Sequence, residues 1–419
     1  MHDFKFRKNR LYCESVNIED IARKIDTPFY LYSYKTLTDH FNKLKRAFGS
    51  INPLICYSMK ANSNLAISRI LVKAGAGLDI VSGGELFKAA KVGCPANRIV
   101  YASVGKTEEE ISQAIRRGIL FFNVESIPEL ELINRISLGL NKITQVAIRI
   151  NPDVEPGTHQ YITTGKLTNK FGIDFLTARR IFSQRRKFSN LKVNGLHMHI
   201  GSQIIAGKPF LNAIRRVVQF NDHLRFLGIR IEYLNIGGGL GIIYKDEKPQ
   251  TADEFAGLIL PVLEKTGLKI ILEPGRFIVG NAGILVTKVL YLKKSRTKAF
   301  IIVDAAMNDL IRPSLYQAYH EILPLKKISG RSCGRFDVVG PICESGDFFA
   351  KNRNLPVSKE GDYFAVMSAG AYGFSMASNY NSRVRCSEII VKGNKFYVIR
   401  KRETYKDLVL NESFPKFIK

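Results

Sequence analysis

The sequence predicts an eight-stranded α/β barrel followed by an all-β domain, and three observations carry that reading. Between about residues 50 and 275, short β-rich apolar runs alternate with longer helical patterns, and there are eight such runs. Repeated strand–helix units imply parallel strands, and eight of them close a ring. Each of several runs ends in glycine or polar residues, as the functional face of a barrel requires. After about Gly280 the helical pattern gives way to short β-like runs separated by turn residues.

The eight runs are Pro53–Tyr57, Gly77–Val81, Ile99–Ala102, Ile119–Val124, Gln145–Ile150, Leu191–His197, Ile231–Ile236 and Leu268–Leu272. Helical segments are expected between them, among them Asn64–Ala74, Glu85–Val92, Glu108–Arg117 and Phe210–Leu227. Ser126 and Glu129 are spaced as a capping box, in which each side chain satisfies a backbone donor of the other residue. An open doubly wound sheet is the competing architecture. It would place a glycine-rich turn after the first strand, whereas Tyr57 is followed by Ser58-Met-Lys60-Ala-Asn62, which favours the barrel.

Beyond the barrel, β-like runs are expected at Gly283–Leu292, Ala299–Val303, Arg335–Val339, Asp362–Met367, Arg385–Lys392 and Lys395–Arg400. Gly393-Asn394 between the last two reads as a hairpin turn, and Asn308–Leu323 as a helical or looped insert. The expected domains are a barrel over 30–280 and a β domain over 281–419, joined by 1–29.

Composition narrows the class. The chain has 419 residues, 45% of them hydrophobic, enough for a large core. No run of eighteen apolar residues predicts a membrane span, and the charged start, Met1 to Lys8, lacks the apolar centre of a secretory signal. Six scattered cysteines form no CxxC pair, which argues against structural zinc or a disulfide framework and for a reduced, cytoplasmic protein. The net charge of +26 is spread along the chain apart from short clusters such as Arg185-Arg186-Lys187. With no nucleic-acid motif beside it, the charge reads as a solvated basic surface rather than a specific nucleic-acid site.

Residues just past the runs carry the chemistry. Lys60 follows the first, Ser82-Gly83-Gly84 the second, and Arg149 and Asn151 close the fifth. His197 to Gln203 end the sixth, Gly237-Gly238-Gly239 the seventh, and Glu273-Pro-Gly275-Arg276 the eighth. A lysine after a strand is usually a surface charge, paired histidines are also a metal-ligand pattern, and three glycines make a tight turn by themselves. Together on one face they suit a phosphate-bearing ligand approached closely by backbone amides.

The motifs Tyr57-Ser-Met-Lys60-Ala-Asn62, Gly77-Leu-Asp79-Ile-Val-Ser-Gly-Gly-Glu85-Leu, His197-Met-His199-Ile-Gly-Ser202-Gln, Glu273-Pro-Gly-Arg276 and Gly340-Pro-Ile-Cys343-Glu344-Ser-Gly-Asp347 carry a resemblance. From about Thr27 onward the chain resembles the group IV (fold type III) pyridoxal-phosphate decarboxylases, and within them the branch acting on diaminopimelate. That resemblance implies a barrel followed by a β domain, pyridoxal 5'-phosphate as cofactor, and a homodimer with shared active sites.

Residue by residue, Lys60 matches the lysine holding the cofactor as a Schiff base, and His199 the ring-stacking histidine. Ser202, the Gly237–Gly239 run with Gly238 and Gly239, Gly275 and Tyr372 match the phosphate cradle. Glu273 matches the carboxylate facing the pyridine nitrogen, and Asp79 falls among the cofactor-binding residues. Arg276, Arg312 and Tyr316 match the residues holding the substrate's unreacting carboxylate, with Arg276 also near the cofactor and Tyr372 also reaching substrate. Cys343 and Glu344 match a pair supplied across the dimer interface. Asp26-Thr27-Pro28 departs from the family's frequent Gly-Thr-Pro, remote from the chemistry.

The chemistry of these roles is coherent. Loss of carbon dioxide leaves an electron pair on Cα that a protonated pyridine ring accepts, and a carboxylate at Glu273 favours that protonated ring. Two arginines holding a second carboxylate distinguish diaminopimelate from ornithine or lysine, with Glu344 taking the distal ammonium. The alternative partner for Arg312 is a nearby acid such as Asp309. Cys343, as a thiol, is the candidate donor that returns a proton to Cα. The expected reaction is decarboxylation of meso-2,6-diaminopimelate to L-lysine. Alternatives are a decarboxylase of arginine, ornithine or a carboxylated polyamine, or a non-catalytic cofactor-binding homologue.

Overall fold

The computed structural model describes residues 2–155, 170–327, 330 and 332–418. It divides into two compact units, one of Thr38–Ile243 with Glu247–Ile278, the other of Met1–Leu37, Tyr244–Asp246 and Val279–Lys419.

The first unit is the barrel. Its strands are β1 (Leu54–Ser58), β2 (Gly77–Ile80), β3 (Ile99–Tyr101), β4 (Phe121–Val124), β5 (Thr144–Arg149), β6 (Leu191–His197), β7 (Tyr233–Asn235) and β8 (Lys269–Leu272). They close in sequence order, every pair parallel, with β8 against β1. All eight expected runs are strands. They register because a strand buried on both faces reads as a continuous apolar run.

The connecting helices are capped by residues that satisfy their first free amides. Asn64 accepts from Ala66 N at 2.9 Å ahead of helix Leu65–Lys73. Thr107 with Glu110 and Thr251 with Glu254 form full capping boxes on helices Glu108–Arg117 and Ala252–Leu263. The box expected at Ser126 forms by half. Ser126 Oγ accepts from Glu129 N at 3.3 Å, but the Glu129 carboxylate turns to the Glu125 amide and to Lys106 instead of back to Ser126. The buried ammonium of Lys106 is the stronger attraction. It donates to Glu129 at 2.6 Å, to Asn123 O at 2.9 Å and to Ser103 O at 2.8 Å. One cation thus ties the loop after β3 to the end of β4 and the next helix.

The lumen is layered. Cys56, Val100, Phe121, Ala147 and Ile271 form an apolar cluster near the strands' middles and starts. Ser58, Asp79, Asn123, His197 and Asn235 are buried at the strands' C-terminal ends. The order matches the general barrel, where the bottom is stability and the top is chemistry.

The second unit is mostly sheet. Strands run in the order Phe348–Pro356, Cys333–Val339, Ala299–Val303, Gly283–Lys294, Phe29–Ser33, Ser387–Lys392, Lys395–Arg400, with Tyr363–Val366 pairing both Gly283–Lys294 and Ile322–Pro324. Phe29–Ser33 lies inside this sheet, antiparallel to Gly283–Lys294 and parallel to Ser387–Lys392. The unit therefore takes in more of the N-terminal segment than residues 1–29. Phe29, Leu31, Ile284, Val286, Ile389 and Val391 share its core with Phe4, Leu11 and Ile21. Gly393, at φ 63°, opens a two-residue turn pairing Lys392 with Lys395, as expected of a primed hairpin. Phe348–Pro356 has no sequence signal, because its middle reads Lys-Asn-Arg-Asn and lacks alternation. The segment Asn308–Leu323 contains a short helix, Arg312–Tyr316, and the start of the strand Ile322–Pro324.

Removing one member of the buried Lys106–Glu129 pair strands the other charge. Lys106→Met is expected to lower unfolding free energy by about 3–5 kcal/mol in a denaturant titration. Adding Glu129→Leu should recover at least half; a loss below about 1 kcal/mol for the single variant contradicts the assignment.

Candidate active site

The polar residues at the barrel's C-terminal end converge on one carboxylate. Glu273 follows β8 and is buried. Its Oε1 accepts from Asn123 Nδ2 at 3.0 Å and Asn235 Nδ2 at 2.6 Å, and its Oε2 lies 3.3 Å from His197 Nε2. β4, which carries Asn123, stands opposite β8 in the ring. The Asn123–Glu273 bond therefore crosses the lumen. Burial opposes ionisation of Glu273, but His197, Lys60 and Asn235 outweigh it and hold the carboxyl well below the usual range. A fixed negative charge results in the mouth of the barrel.

A second carboxylate behaves oppositely. Asp79, on β2 and fully buried, accepts from Ser58 Oγ at 2.6 Å and from Lys60 Nζ at 3.0 Å. Burial and the Glu273 charge push its carboxyl up, against the pull of Lys60 and Ser58. Two acids whose surroundings drive them apart are a mark of a working site. Lys60 itself sits on a single 3-10 turn, Met59–Ala61, directly past β1, with its side chain partly exposed.

His199 follows β6 and is half-buried. Loss of water, then the charges of Arg149 and Lys60, lower its pKa well below the ordinary value, so the imidazole is neutral. Its Nδ1 accepts from the Gly238 amide at 3.2 Å, which links the ring to the glycine turn. Gly237 and Gly239 have φ of 70° and 116°. A Cβ on Gly238 would lie 2.1 Å from Glu273 O, so only glycine fits there. Gln203 zips the loops after β6 and β7 together, donating to Ile242 O at 2.7 Å and accepting from its amide at 3.1 Å. Arg276 donates to Ser202 Oγ from Nε at 3.3 Å and from Nη2 at 3.1 Å. Gly275 has Ala61 and Ser58 within 3.1 Å of a notional Cβ, so glycine lets this turn close on the β1 end.

The structure thus brings together Lys60, Asp79, His199, Ser202, Gly238, Gly239, Glu273, Gly275 and Arg276 in one unit. Arg312, Tyr316, Cys343, Glu344 and Tyr372 belong to the sheet unit. Arg312 is buried, donates Nε to His320 at 3.3 Å, and lies over the rings of Tyr244 at 5.0 Å and Tyr316 at 6.0 Å. Asp309, the acid considered as its partner, accepts from the Ala306 amide at 3.0 Å, and burial pushes its carboxyl up to about 7. Cys343 and Glu344 are exposed on a loop held by buried Asp347, which accepts from the Met307 and Ile342 amides at 2.7 Å each. Tyr372 adopts φ 57°, a left-handed conformation.

Sequence reasoning missed Asn123 and Asn235. The available signal was a lone amide inside an otherwise apolar strand, since a buried amide must have a partner. It also passed over the pair of Glu125 with Arg149, which lie 2.5 Å apart, with Arg149 Nη2 3.5 Å from His199 O.

Residues 34–280 match the family model described as "Pyridoxal-dependent decarboxylase, pyridoxal binding domain". The chain belongs to this family. A diaminopimelate decarboxylase from Aquifex aeolicus is 48% identical over 406 residues, covering 97% of this chain and 96% of the relative. Among solved structures, a diaminopimelate decarboxylase from Helicobacter pylori complexed with L-lysine superposes with a TM-score of 0.91 at 43% identity, covering 94% of this chain and 99% of its own. That of M. jannaschii in complex with L-lysine gives 0.95 at 37% identity over the full length of both. Likeness over both units, at these identities, gives the family's fold to the whole described chain.

Glu85, on the helix after β2, faces the same corner and accepts from the Val81 amide at 2.8 Å. Burial pushes its carboxyl up to about 7. An unfolded glutamate titrates near about 4.3. The stability attached to this group is therefore complete at about pH 4 and is lost toward pH 7, where the unfolded chain has released a proton that the fold retains. Glu85→Gln keeps an acceptor and removes the titration. Its stability relative to the parent should rise between pH 4 and 7 by on the order of 1–3 kcal/mol. A pH-independent difference in melting temperature would contradict this.

Proposed function

We propose that this chain is a diaminopimelate decarboxylase, a carboxy-lyase that converts meso-2,6-diaminopimelate to L-lysine and carbon dioxide with pyridoxal 5'-phosphate. The observation that carries the reading is the ionised Glu273, held across the barrel mouth on the side where Lys60 and His199 lie. The names of relatives that match over nearly the full chain support the choice of substrate.

The residues fit the cofactor. Asp79 Oδ1, Asn123 Oδ1 and His197 Nδ1 are buried at this end with no hydrogen-bond partner among the described residues, so the lumen is lined for a polar guest. The Gly237–Gly239 turn closes this end tightly, since a Cβ on each glycine would meet the carbonyl of Met198, Glu273 or Gly201. Lys60 would hold the cofactor covalently, with Asp79 beside its amine, and neutral His199 would pack against the ring. Gly237–Gly239, Ser202, Gly275, Arg276 and Tyr372 would hold the phosphate. When bound, the cofactor supplies an electron sink for the pair left on Cα by departing carbon dioxide.

The chain's own groups do the rest. Glu273, acceptor-only and ionised, keeps a positive ring nitrogen in place by opposite charge. Arg276, Arg312 and Tyr316 hold the second carboxylate, and Glu344 the distal ammonium. Cys343 returns a proton to Cα from its thiol, a donor that needs to sit near the reacting carbon. Cys343 and Glu344 are exposed in one copy of the chain. Their service to a second copy makes the working enzyme a homodimer. Six unbridged thiols fit a cytoplasmic setting, and no helix among the described residues is long and apolar enough to cross a membrane.

Purified protein should absorb in the visible, and borohydride should bleach it and leave a reduced adduct that maps to Lys60. Carbon dioxide release from meso-diaminopimelate should exceed release from ornithine or arginine by roughly 10³-fold or more in kcat/KM, because those substrates leave the arginines unpaired. Turnover of ornithine with none of diaminopimelate overturns the assignment. Mixing Lys60→Ala with Cys343→Ala subunits should restore activity; heterodimers that form and stay inactive would contradict the shared site.

A further inference from the structure

Arg312 is held by a histidine to which the decarboxylation chemistry gives no role. His320 is fully buried, eight residues beyond Arg312. The helix Arg312–Tyr316 ends at Gln317, whose φ of 51° turns the chain back. His320 then returns against the arginine. Its Nδ1 lies 2.8 Å from Met367 O and its Nε2 lies 3.3 Å from Arg312 Nε.

These two contacts fix the tautomer. A carbonyl oxygen only accepts, so the Nδ1 carries the proton. A guanidinium only donates, so the Nε2 presents its lone pair. The ring therefore works as a neutral acceptor for Arg312 and as a donor to the sheet. Met367 is itself rigid, since its amide donates to Glu321 O at 2.8 Å just past the paired strands Ile322–Pro324 and Tyr363–Val366. Arg353 Nη1 donates to His320 O at 2.9 Å and holds the backbone. Tyr244 closes the third side, edge-on to the His320 ring at 5.3 Å and beneath the guanidinium.

We propose that His320 is a positioning residue that sets the plane of Arg312 for the second carboxylate of a diamino-dicarboxylate substrate, an inference that rests on the reading of Arg312 given above. With Nε committed to His320, the bidentate mode left to a carboxylate uses the two Nη groups. That mode is planar, so an arginine free to rotate about its long side chain would lose it. His320 thereby acts on recognition of the distal end of the substrate and leaves the reacting carbon untouched. A histidine serving only as core volume would be replaceable by phenylalanine without functional effect.

The test separates these roles through KM and kcat in the holoenzyme. His320→Phe keeps the ring and removes both nitrogens. It should raise KM for meso-diaminopimelate roughly tenfold or more, with kcat within about threefold and the visible spectrum of the bound cofactor unchanged. His320→Gln places an acceptor where Nε2 stood and should recover most of that KM. His320→Asn, which reaches only toward Met367, should not. Arg312→Ala provides the reference, with a KM rise at least as large and no additional effect of His320→Phe in the double variant.

Equal KM for the Gln and Asn variants, or a KM unchanged by His320→Phe while Arg312→Ala raises it, overturns the positioning role. If Arg312→Ala itself leaves KM unchanged, the error lies in the reading of Arg312 as a substrate clamp, and the positioning role goes with it. Should His320→Phe not fold, the Gln and Asn variants decide by the same comparison.

Discussion

The barrel mouth depends on keeping one carboxylate charged while water is excluded from it. A lone buried carboxylate takes up a proton, since desolvation penalises the charged form. Glu273 escapes that outcome because three strands each end in a donor that reaches it: Asn123 from β4, His197 from β6 and Asn235 from β7. The parallel ring makes this convergence available, because every strand in it ends at the same face. A substitution at any of the three donors weakens a charge that none of them carries. Asp79, a short way round the ring, accepts the complementary state: its carboxyl is pushed up by burial and by Glu273. Two acids in one lumen thus settle into different protonation tendencies through their neighbours alone.

Buried ion pairs brace the loops that set this geometry. Lys106 holds the carbonyl of Asn123 and so fixes the residue that spans the lumen. Arg149 with Glu125 does similar work one strand further on, with Arg149 Nη2 at 3.5 Å from His199 O and Glu125 accepting from the Gly172 amide at 2.9 Å. Pairs of this kind add little net stability over apolar packing. Their value here is directional, since hydrogen-bonded charges allow one arrangement of the loops where hydrophobic contacts would allow several.

In the sheet unit the same logic operates with a neutral partner. Arg312 is oriented by an imidazole whose tautomer is dictated by the Met367 carbonyl, just past a strand. Asp347 secures the Cys343–Glu344 loop through two backbone amides. In each case a buried residue fixes the segment beside it.

Much of this protein was legible in its sequence alone. The eight barrel strands show as apolar runs because both faces of each are buried. Lys60, His199, the Gly237–Gly239 turn and Glu273-Pro-Gly-Arg276 stand out because strand ends in a barrel carry function, and because the motifs are specific to one family. Only the tertiary structure decided the partners. Nothing local marks Asn123 as the amide that crosses to Glu273, Lys106 as the cation that diverts Glu129 from its expected cap, or His320 as the acceptor for Arg312. Local hydrogen-bond rules predicted a complete box at Ser126, and a buried charge from another loop outbid it. Periodicity and motifs report what a residue prefers within its own segment. Which donor meets which acceptor depends on residues from eight to 150 positions apart being brought within hydrogen-bond reach, and that is settled by the closing of the ring and the packing of the sheet.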